Sequence, residues 1–292
     1  MRPVVHVTGP VPERVHAALA ETFTLTDKPE GADGILSLLT ATVDGALLDR
    51  AGPQLRIVAN YGVGVDNIDL EAARARNVLV ANTPDVLTET TAELAIALTL
   101  ALLRRVAEGD RFLRRREQWS FSLEFMLGES LRGKTFGVIG PGRIGRATAR
   151  LAEALGARPV YAGRGDDLHA LVGRADVVSL HCPLNADTFH LIDREALERM
   201  RPSAVLVNTA RGPIVDEGAL VFALRDGVIA GAALDVYERE PRIRDELLSM
   251  ENVVLTPHLG SATRETRGAM GMLAVSALHT ALIDGRTPPN VV

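Results

Sequence analysis

The chain has 292 residues, enough for two domains of ordinary size, and its 47 % apolar and 24 % charged residues are typical of a folded protein. Its net charge of −5 argues against nucleic acid or an anionic membrane as the general partner, because both bind strongly positive surfaces. The N-terminus has no cleavable apolar signal, and the apolar run 94–103 is too short to span a bilayer, so we expect a cytoplasmic protein.

Short strand-like runs alternate with helical patterns along nearly the whole chain. Continuous apolar strands in such alternation are typical of parallel sheets covered by helices on both faces. Two series of them predict an α/β protein of two doubly wound parallel-sheet domains, with the active site in the cleft between them. The predicted strands are 4–7, 34–38, 55–59, 78–81, 136–139, 159–162, 177–180, 204–207, 230–234 and 253–255.

Two helical patterns decide where the domains divide. Segment 87–116 has Ala and Leu at nearly every buried spacing, which suits a helix that crosses between domains or packs against a partner subunit; an ordinary core helix is the alternative. No strand follows the last pattern, 265–282, so we expect it to pack on the first series. The predicted domains are therefore 1–92 with 263–292, and 93–262.

The most informative motif is a G-x-G-x-x-G turn directly after a predicted strand. Gly140 permits a tight turn, Gly142 lets the backbone approach a phosphate, and Gly145 allows close packing of helix and strand. Unbonded N–H groups at the start of the following helix attract an anion. This context predicts that the pyrophosphate of a dinucleotide binds here.

The residue after the next strand decides between two cofactors. An Asp or Glu about 20 residues beyond the glycines would hold the ribose 2′-hydroxyl of NAD. Arg164 stands there instead, nineteen positions after Gly145, and a guanidinium suits the 2′-phosphate of NADP. Asp166 and Asp167 lie just beyond and would restore NAD if the register shifts. We therefore expect NADP, with NAD as the alternative; Arg164 as a solvated loop residue is the other interpretation.

Two connections in the second predicted domain are short. Eleven residues separate Arg164 from Asp176, and the path from Glu240 to His258 is also short. Neither removes a residue type that catalysis needs, but both bear on the shape of the adenosine pocket and of the rim of the site.

Cys182 is the single cysteine, so an intrachain disulfide is excluded and a reducing compartment fits. It follows His181, and such a pair is more often strand-end packing than a metal site, because zinc needs three or four convergent ligands. We expect no metal. The apolar residues 125–127 are interpreted as core packing, with a pocket wall or dimer contact as the alternatives.

Arg211, Glu240 and His258 follow three consecutive predicted strands. Ligands of open α/β sheets collect at such carboxyl ends. A guanidinium can clamp a carboxylate with two hydrogen bonds, and an imidazole beside a carboxylate can donate or accept a proton. Each residue alone has an ordinary surface alternative, but the three together after a nucleotide motif predict an active site.

In order and spacing these motifs resemble those of the D-isomer-specific 2-hydroxyacid dehydrogenase family, and they are close in pattern to its glyoxylate/hydroxypyruvate reductases. The resemblance covers nearly the whole chain. Beside the glycine turn it rests on His-Cys-Pro-Leu at 181–184, Asn-Thr-Ala-Arg-Gly at 208–212, Asp235 with Glu-Pro at 240–241, and Thr-Pro-His at 256–258. It implies two Rossmann-like domains, reduction of a small 2-oxo acid to its D-2-hydroxy acid, and a homodimer.

The resemblance also assigns roles to residues. His258 would protonate the carbonyl oxygen with Glu240 as its partner, while Arg211 would bind the carboxylate of the acid and polarise its carbonyl. The residues implied in cofactor binding are Gly140, Gly142, Arg143, Ile144, Gly145, Arg164, Cys182, Pro183, Thr209, Asp235 on the nicotinamide carboxamide, and Gly260. Related formate dehydrogenases have glutamine in place of Glu240, so formate oxidation is not expected.

A glycine loop at 61–69 matches the part of the family that binds the substrate carboxylate through backbone N–H groups. The implied substrate contacts are Val63 and Gly64, together with Arg211 and His258. Glycines beside a strand end can form an N–H nest for an anion. A plain turn with Asp69 as helix N-cap is compatible with this interpretation.

Three functions follow from these observations. The first is reduction of a small unphosphorylated acid such as glyoxylate or hydroxypyruvate, because residues 37–42 carry no basic side chain for a phosphate. The second is an NAD-linked phosphoglycerate dehydrogenase-type enzyme, which cofactor preference and a phosphate requirement would discriminate. The third is a nucleotide-sensing, corepressor-like binding protein, which would lack turnover.

Overall fold

A computed structural model describes residues 2–292 and divides them into two compact units. The first unit ends at Leu87 and is completed by Ala262–Val292; the second is Thr88–Ser261. The strands are β1 (Val4–Val7), β2 (Thr24–Thr26), β3 (Gly34–Ser37), β4 (Ile57–Asn60), β5 (Leu79–Ala81), β6 (Thr135–Ile139), β7 (Arg158–Ala162), β8 (Val177–Leu180), β9 (Val205–Asn208), β10 (Gly231–Leu234) and β11 (Val253–Leu255).

Helices connect most of these strands. They are α1 (Glu13–Thr22), α2 (Gly45–Ala51), α3 (Leu70–Ala75), α4 (Thr88–Leu103), α5 (Val106–Arg114), α6 (Arg143–Ala154), α7 (Leu168–Val172), α8 (Arg194–Arg199), α9 (Glu217–Arg225), α10 (Asp245–Ser249) and α11 (Arg264–Leu282). Aspartates begin five of them by accepting an early backbone N–H, which fixes where each helix starts. These N-caps are Asp44, Asp69, Asp167, Asp193 and Asp216. No helix within residues 2–292 is long and apolar enough to cross a membrane.

The first unit is built on a parallel sheet with the strand order β2-β1-β3-β4-β5. Strands β3 and β4 are buried along their whole length, which explains why each is apolar except at its last residue. Helix α11 packs against β3, β4 and α1 although it lies at the far end of the chain. The guanidinium of Arg56 holds the end of α11 by donating to the carbonyls of Ala281 and Leu282.

The second unit is built on a six-stranded parallel sheet in the order β7-β6-β8-β9-β10-β11. Helices α4 and α6 cover one face, and α7, α8 and α9 cover the other. The chain adds β7 on one side of β6 and then β8 on the other, so the strand order reverses between β6 and β8. Such a reversal opens a crevice at the carboxyl ends of the strands. Two parallel-sheet α/β units confirm the predicted fold class.

The short connection after Arg164 leaves β7 at the edge of this sheet. Only α7 lies between β7 and β8, whereas the usual dinucleotide-binding sheet carries a further strand beyond the second. Tyr161 on β7 is consequently exposed. The sheet therefore stops at the strand that precedes Arg164.

Three sequence predictions are wrong in detail. Segment 87–116 forms two helices, because Arg105 adopts the left-handed conformation with φ of 54° and ends the first. Strand β2 is missing from the prediction, since it is three residues long, polar and paired at the sheet edge. Residues 125–127 are not core: Phe125 and Leu127 are exposed, and the Phe125 ring stacks on Trp119 instead.

Candidate active site

The glycine turn lies between β6 and α6, at the point where the strand order reverses. Gly140 has φ of 88°, and a Cβ there would lie 2.5 Å from the amide nitrogen of Cys182, so the turn packs on the end of β8. A Cβ on Gly145 would overlap the carbonyl oxygen of Gly140. A Cβ on Gly142 would meet no atom within 4 Å, so open space faces this residue. The turn thus forms a cradle at the N-terminus of a 12-residue helix.

The other residues predicted to bind a cofactor surround this turn. Arg143 and Ile144 begin α6, Cys182 and Pro183 follow β8, and Thr209 follows β9. The hydroxyl of Thr209 is buried and bonds to none of the described residues. Buried polar groups normally have partners, so this hydroxyl is available to a bound molecule. The cradle and the unpartnered hydroxyl both fit a dinucleotide.

His181 and Cys182 are neutral packing residues. Burial lowers the pKa of His181 to about 4 and raises the pKa of the Cys182 thiol to about 11. The Nε2 atom of His181 lies 2.8 Å from the hydroxyl of Ser179. Among residues 2–292, no group of three or more His, Cys, Asp or Glu side chains is placed to hold a metal ion.

Arg164 projects into solvent after β7, with 87 % of its side chain exposed and its Nη2 atom 3.5 Å from the carboxylate of Asp187. The two acids beyond it are engaged locally. Asp166 accepts the N–H of Gly163 at 2.7 Å, and Asp167 caps α7. The Arg164 guanidinium therefore extends into solvent beyond the end of β7, whereas both acids bond to backbone N–H groups.

His258 and Glu240 meet at the carboxyl ends of β11 and β10. The Nδ1 atom of His258 lies 2.8 Å from Oε2 of Glu240, whose Oε1 accepts the N–H of Tyr237 at 3.0 Å. The Nε2 atom of His258 bonds to no described residue. Because 35 % of each side chain is exposed, a ligand can reach the pair.

Glu240 is ionised at neutral pH. Burial is the largest influence on its pKa and acts to raise it. The hydrogen bond and charge of His258, the N–H of Tyr237 and the charge of Arg211 together outweigh burial and lower the pKa below its usual value. An ionised partner at Nδ1 keeps a proton on that nitrogen and orients the ring.

Asp235, at the end of β10, shapes the loop that carries His258. Its buried carboxylate accepts hydrogen bonds from the Thr256 hydroxyl at 2.6 Å, the Leu259 N–H at 2.7 Å and the Gly260 N–H at 2.8 Å. Burial is the main cause of its raised pKa, and these three donors and the charge of His258 limit the rise. The sequence gives no signal for this loop-forming role. The contact of Asp235 with a nicotinamide carboxamide stays a prediction.

Arg211 follows β9, the strand next to β10. Its Nη1 atom donates to the carbonyl oxygen of Ala210 at 2.8 Å. A Cβ on the next residue, Gly212, would overlap the carbonyl group of Tyr237, so the loops that carry Arg211 and Glu240 are in direct contact. The charge of Arg211 also lowers the pKa of Glu240. A cation, a carboxylate and an imidazole thus share one electrostatic site.

The loop after β4 is a feature of the first unit. Three successive carbonyl oxygens are bonded within that unit: Gly62 accepts from the Thr83 N–H at 3.0 Å, Val63 from Asn82 Nδ2 at 2.8 Å, and Gly64 from Asn60 Nδ2 at 2.7 Å. The N–H groups of Val63 and Gly64 donate to none of the described residues of the unit. Backbone N–H groups left available in this way form nests that bind anions.

Comparison with known proteins adds to this geometry. The family described as "D-isomer specific 2-hydroxyacid dehydrogenase, NAD binding domain" matches residues 96–260. A glyoxylate reductase from Thermococcus litoralis is 40 % identical over 323 residues, covering 100 % of this chain and 97 % of that protein. The chain belongs to the D-isomer-specific 2-hydroxyacid dehydrogenase family. The resemblance seen in the sequence is confirmed.

Two solved structures are similar to this dehydrogenase along its whole length. The TT0316 protein from Thermus thermophilus is 42 % identical with a TM-score of 0.91, and 99 % of each chain is covered. An NADPH-dependent glyoxylate/hydroxypyruvate reductase from Sinorhizobium meliloti, solved with NADP and malonate, is 37 % identical with a TM-score of 0.89 over 100 % of this chain and 97 % of that one. Family membership supports a nicotinamide-dependent oxidoreductase.

Proposed function

We propose that this dehydrogenase reduces a small 2-oxo acid to the D-2-hydroxy acid and that it prefers NADPH to NADH. The observation that carries the proposal is the 2.8 Å contact between His258 Nδ1 and Glu240 beside Arg211, in the same unit as the glycine turn. The relative from Thermococcus litoralis is named a glyoxylate reductase, and the Sinorhizobium meliloti enzyme is named NADPH-dependent. Both names support the proposal.

Each polar residue has a defined task in this reaction. The bound reduced nicotinamide would supply a hydride to C2 of the acid. Arg211 binds the carboxylate and polarises the carbonyl, and His258 gives a proton from Nε2 to the carbonyl oxygen. Ionised Glu240 stabilises the imidazolium that precedes this transfer. In the first unit, the N–H groups of Val63 and Gly64 form a nest that suits a carboxylate.

The substrate class is a small acid without a phosphate, such as glyoxylate or hydroxypyruvate. Residues 37–42 contact the N–H loop, since Asn67 donates to the carbonyl oxygen of Ala41 at 3.0 Å, and they carry no Lys or Arg that would bind a phosphate. The proposed NADPH preference rests on Arg164, because the carboxylates of Asp166 and Asp167 already accept backbone N–H groups of neighbouring residues. A guanidinium at this place attracts a 2′-phosphate.

The test is the loss of reduced-cofactor absorbance with glyoxylate, hydroxypyruvate, larger 2-oxo acids and a phosphorylated three-carbon 2-oxo acid, each with NADPH and NADH. We expect NADPH-linked turnover of the small acids. We expect His258→Ala to lower kcat by about 10²–10⁴-fold while NADPH binding is retained, because only the proton donor is lost. Near-normal kcat in His258→Ala would refute the role of this histidine.

The other outcomes identify the alternatives. Turnover with NADH and only the phosphorylated acid would indicate a phosphoglycerate dehydrogenase-type enzyme. Tight nucleotide binding without turnover of any acid would indicate a nucleotide-sensing protein.

The proposal includes a homodimer. Half of the large apolar side chains that the described residues expose lie between Val106 and Leu127 in the second unit. Concentrated apolar surface of this kind marks interaction sites. Nearby arginines are paired within the chain: Arg111 pairs with Glu251, and Arg115 pairs with both Glu251 and Glu117. A second copy of the chain would therefore meet an apolar surface with a balanced rim.

A further inference from the structure

A buried carboxylate lies next to the turn that carries Glu240 and has no task in the proposed reaction. Glu217 is the first residue of α9, and only 5 % of its side chain is exposed. Burial is the largest influence on its pKa and raises it; the charge of Glu238 acts in the same direction, while the N–H of that residue and two arginines limit the rise. Burying a carboxylate is costly unless strong partners hold it.

One partner of Glu217 belongs to the turn that carries Glu240, and the other follows that turn in sequence. Oε1 of Glu217 accepts the N–H of Glu238 at 2.6 Å, and Oε2 lies 3.5 Å from Nε of Arg244. The preceding N–H of the same turn, that of Tyr237, is accepted by Glu240. Two successive N–H groups are therefore held by two carboxylates, one from the turn itself and one from α9.

Glu217 also ends the segment that begins at Arg211. Gly212 packs directly on the carbonyl group of Tyr237, at the start of a short 3-10 helix that leads towards α9. The bond from Glu217 to Glu238 is a second attachment, further along the first segment and one residue further along the second. The two attachments fix the Arg211 segment to the Glu240 turn.

We propose that Glu217 is a positioning residue: it holds the 237–240 turn so that the Glu240 carboxylate meets Nδ1 of His258. The proposal rests on the proposed function for its effect on turnover. Glu217 bonds to Glu238 and Arg244 and not to His258. It acts through the backbone of the turn.

The test compares three variants with the wild type. Glu217→Ala removes the acceptor and is expected to lower kcat by about ten- to a hundredfold, because small misplacements of acid–base groups cost that much. The KM of the 2-oxo acid and the Kd of NADPH are expected to stay within about twofold. Glu217→Gln keeps an oxygen for the Glu238 N–H, so its kcat should remain within about threefold of the wild type. Glu198→Ala, at an exposed carboxylate paired with Arg194, is the matched control and should change nothing.

A second arm separates positioning from simple loss of stability. In a Glu240→Gln background, Glu217→Ala should lower kcat no further, because both substitutions act on one contact. Independent, multiplying losses would overturn the proposal. Where Glu217→Ala does not fold, Glu217→Asp replaces it: the charge stays but the reach is shorter, and the same loss of kcat is expected.

A third arm does not depend on turnover. The ring ¹⁵N resonances of His258, assigned by their absence in His258→Gln, report its bond to Glu240. They should shift in Glu217→Ala in the same direction as in Glu240→Gln and stay unchanged in Glu198→Ala. An unaltered His258 spectrum in Glu217→Ala overturns the positioning role whatever the activity. A shifted spectrum in a protein that reduces no 2-oxo acid supports the positioning contact and refutes only the proposed function.

Discussion

At the level of single residues, three carboxylates around β9 and β10 differ in what holds them, and this decides what each can do. Asp235 accepts three donors from the His258 loop, and Glu217 accepts a backbone N–H from the neighbouring turn. Both are buried and shape the backbone. Glu240 is partly exposed and bonds the imidazole of His258. Only the third carboxylate is therefore placed to take part in proton transfer.

The cofactor preference depends on a single exposed residue. Arg164→Ala should weaken NADPH by about tenfold or more and leave NADH within about twofold, because only NADPH carries the 2′-phosphate that a charge-assisted bond would hold. Fluorescence titration of both reduced cofactors measures this. Asp187→Asn is the matched variant: it removes the carboxylate 3.5 Å from the guanidinium and should tighten NADPH. Equal weakening of both cofactors in Arg164→Ala would show that this residue does not contact the 2′-phosphate.

At the level of elements, the glycines of the turn between β6 and α6 have different roles. Gly142→Ala should leave the folded protein intact, since its Cβ meets no atom within 4 Å, yet it should weaken NADPH by about tenfold or more by blocking the approach of the phosphates. Gly145→Ala should lower the free energy of unfolding, because its Cβ would overlap the carbonyl of Gly140.

The two substitutions form a matched pair that is read by thermal unfolding and NADPH titration. A Gly142→Ala protein with normal Tm and normal NADPH affinity would place the pyrophosphate elsewhere. A Gly145→Ala protein as stable as the wild type would mean that α6 can move away from β6.

The helices and strands differ in how well their bounds could be predicted from the sequence. Strands β8 and β11 begin and end where predicted, because both are largely buried and consist mainly of apolar residues. The glycine turn has a local signature, and so do the Asp N-caps. The break at Arg105 and the edge strand β2 have none, since a left-handed arginine and a polar edge are set by tertiary contacts.

In the candidate site, too, some residue roles could be predicted from the sequence and others could not. Arg211, Glu240 and His258 could be expected at strand ends because each follows an apolar strand. The tasks of Asp235 and Glu217 could not, because each depends on backbone N–H groups between 21 and 25 residues away in sequence. Residue types are visible in a sequence, whereas the donors that satisfy a buried carboxylate are visible only in the fold.

At the level of the whole molecule, the chain leaves its first unit at Leu87, forms the second, and returns at Ala262. Helix α11 completes the first unit by packing on β3 and β4. Helix α11 therefore covers part of the first sheet. In chain order, the first unit is completed only after the second. Each unit keeps its own parallel sheet and its own core, so the proposed active-site residues of the second unit sit on a self-contained scaffold.

The exposed apolar surface of the second unit predicts that two copies of the chain form a dimer. Phe121 and Leu123 are 83 % and 85 % exposed. Burial of these two side chains at an interface stabilises the dimer by about 3–6 kcal/mol for each copy of the chain. The wild type should therefore elute with twice the 31.3 kDa mass of one chain in light-scattering chromatography. Phe121→Ser with Leu123→Ser should raise the dimer Kd by more than about a hundredfold and give monomers at micromolar concentration. Leu248→Ser, at an exposed leucine on α10, should remain dimeric. A wild type that stays monomeric at high concentration, or a double variant that stays dimeric, would exclude this surface as the interface between copies.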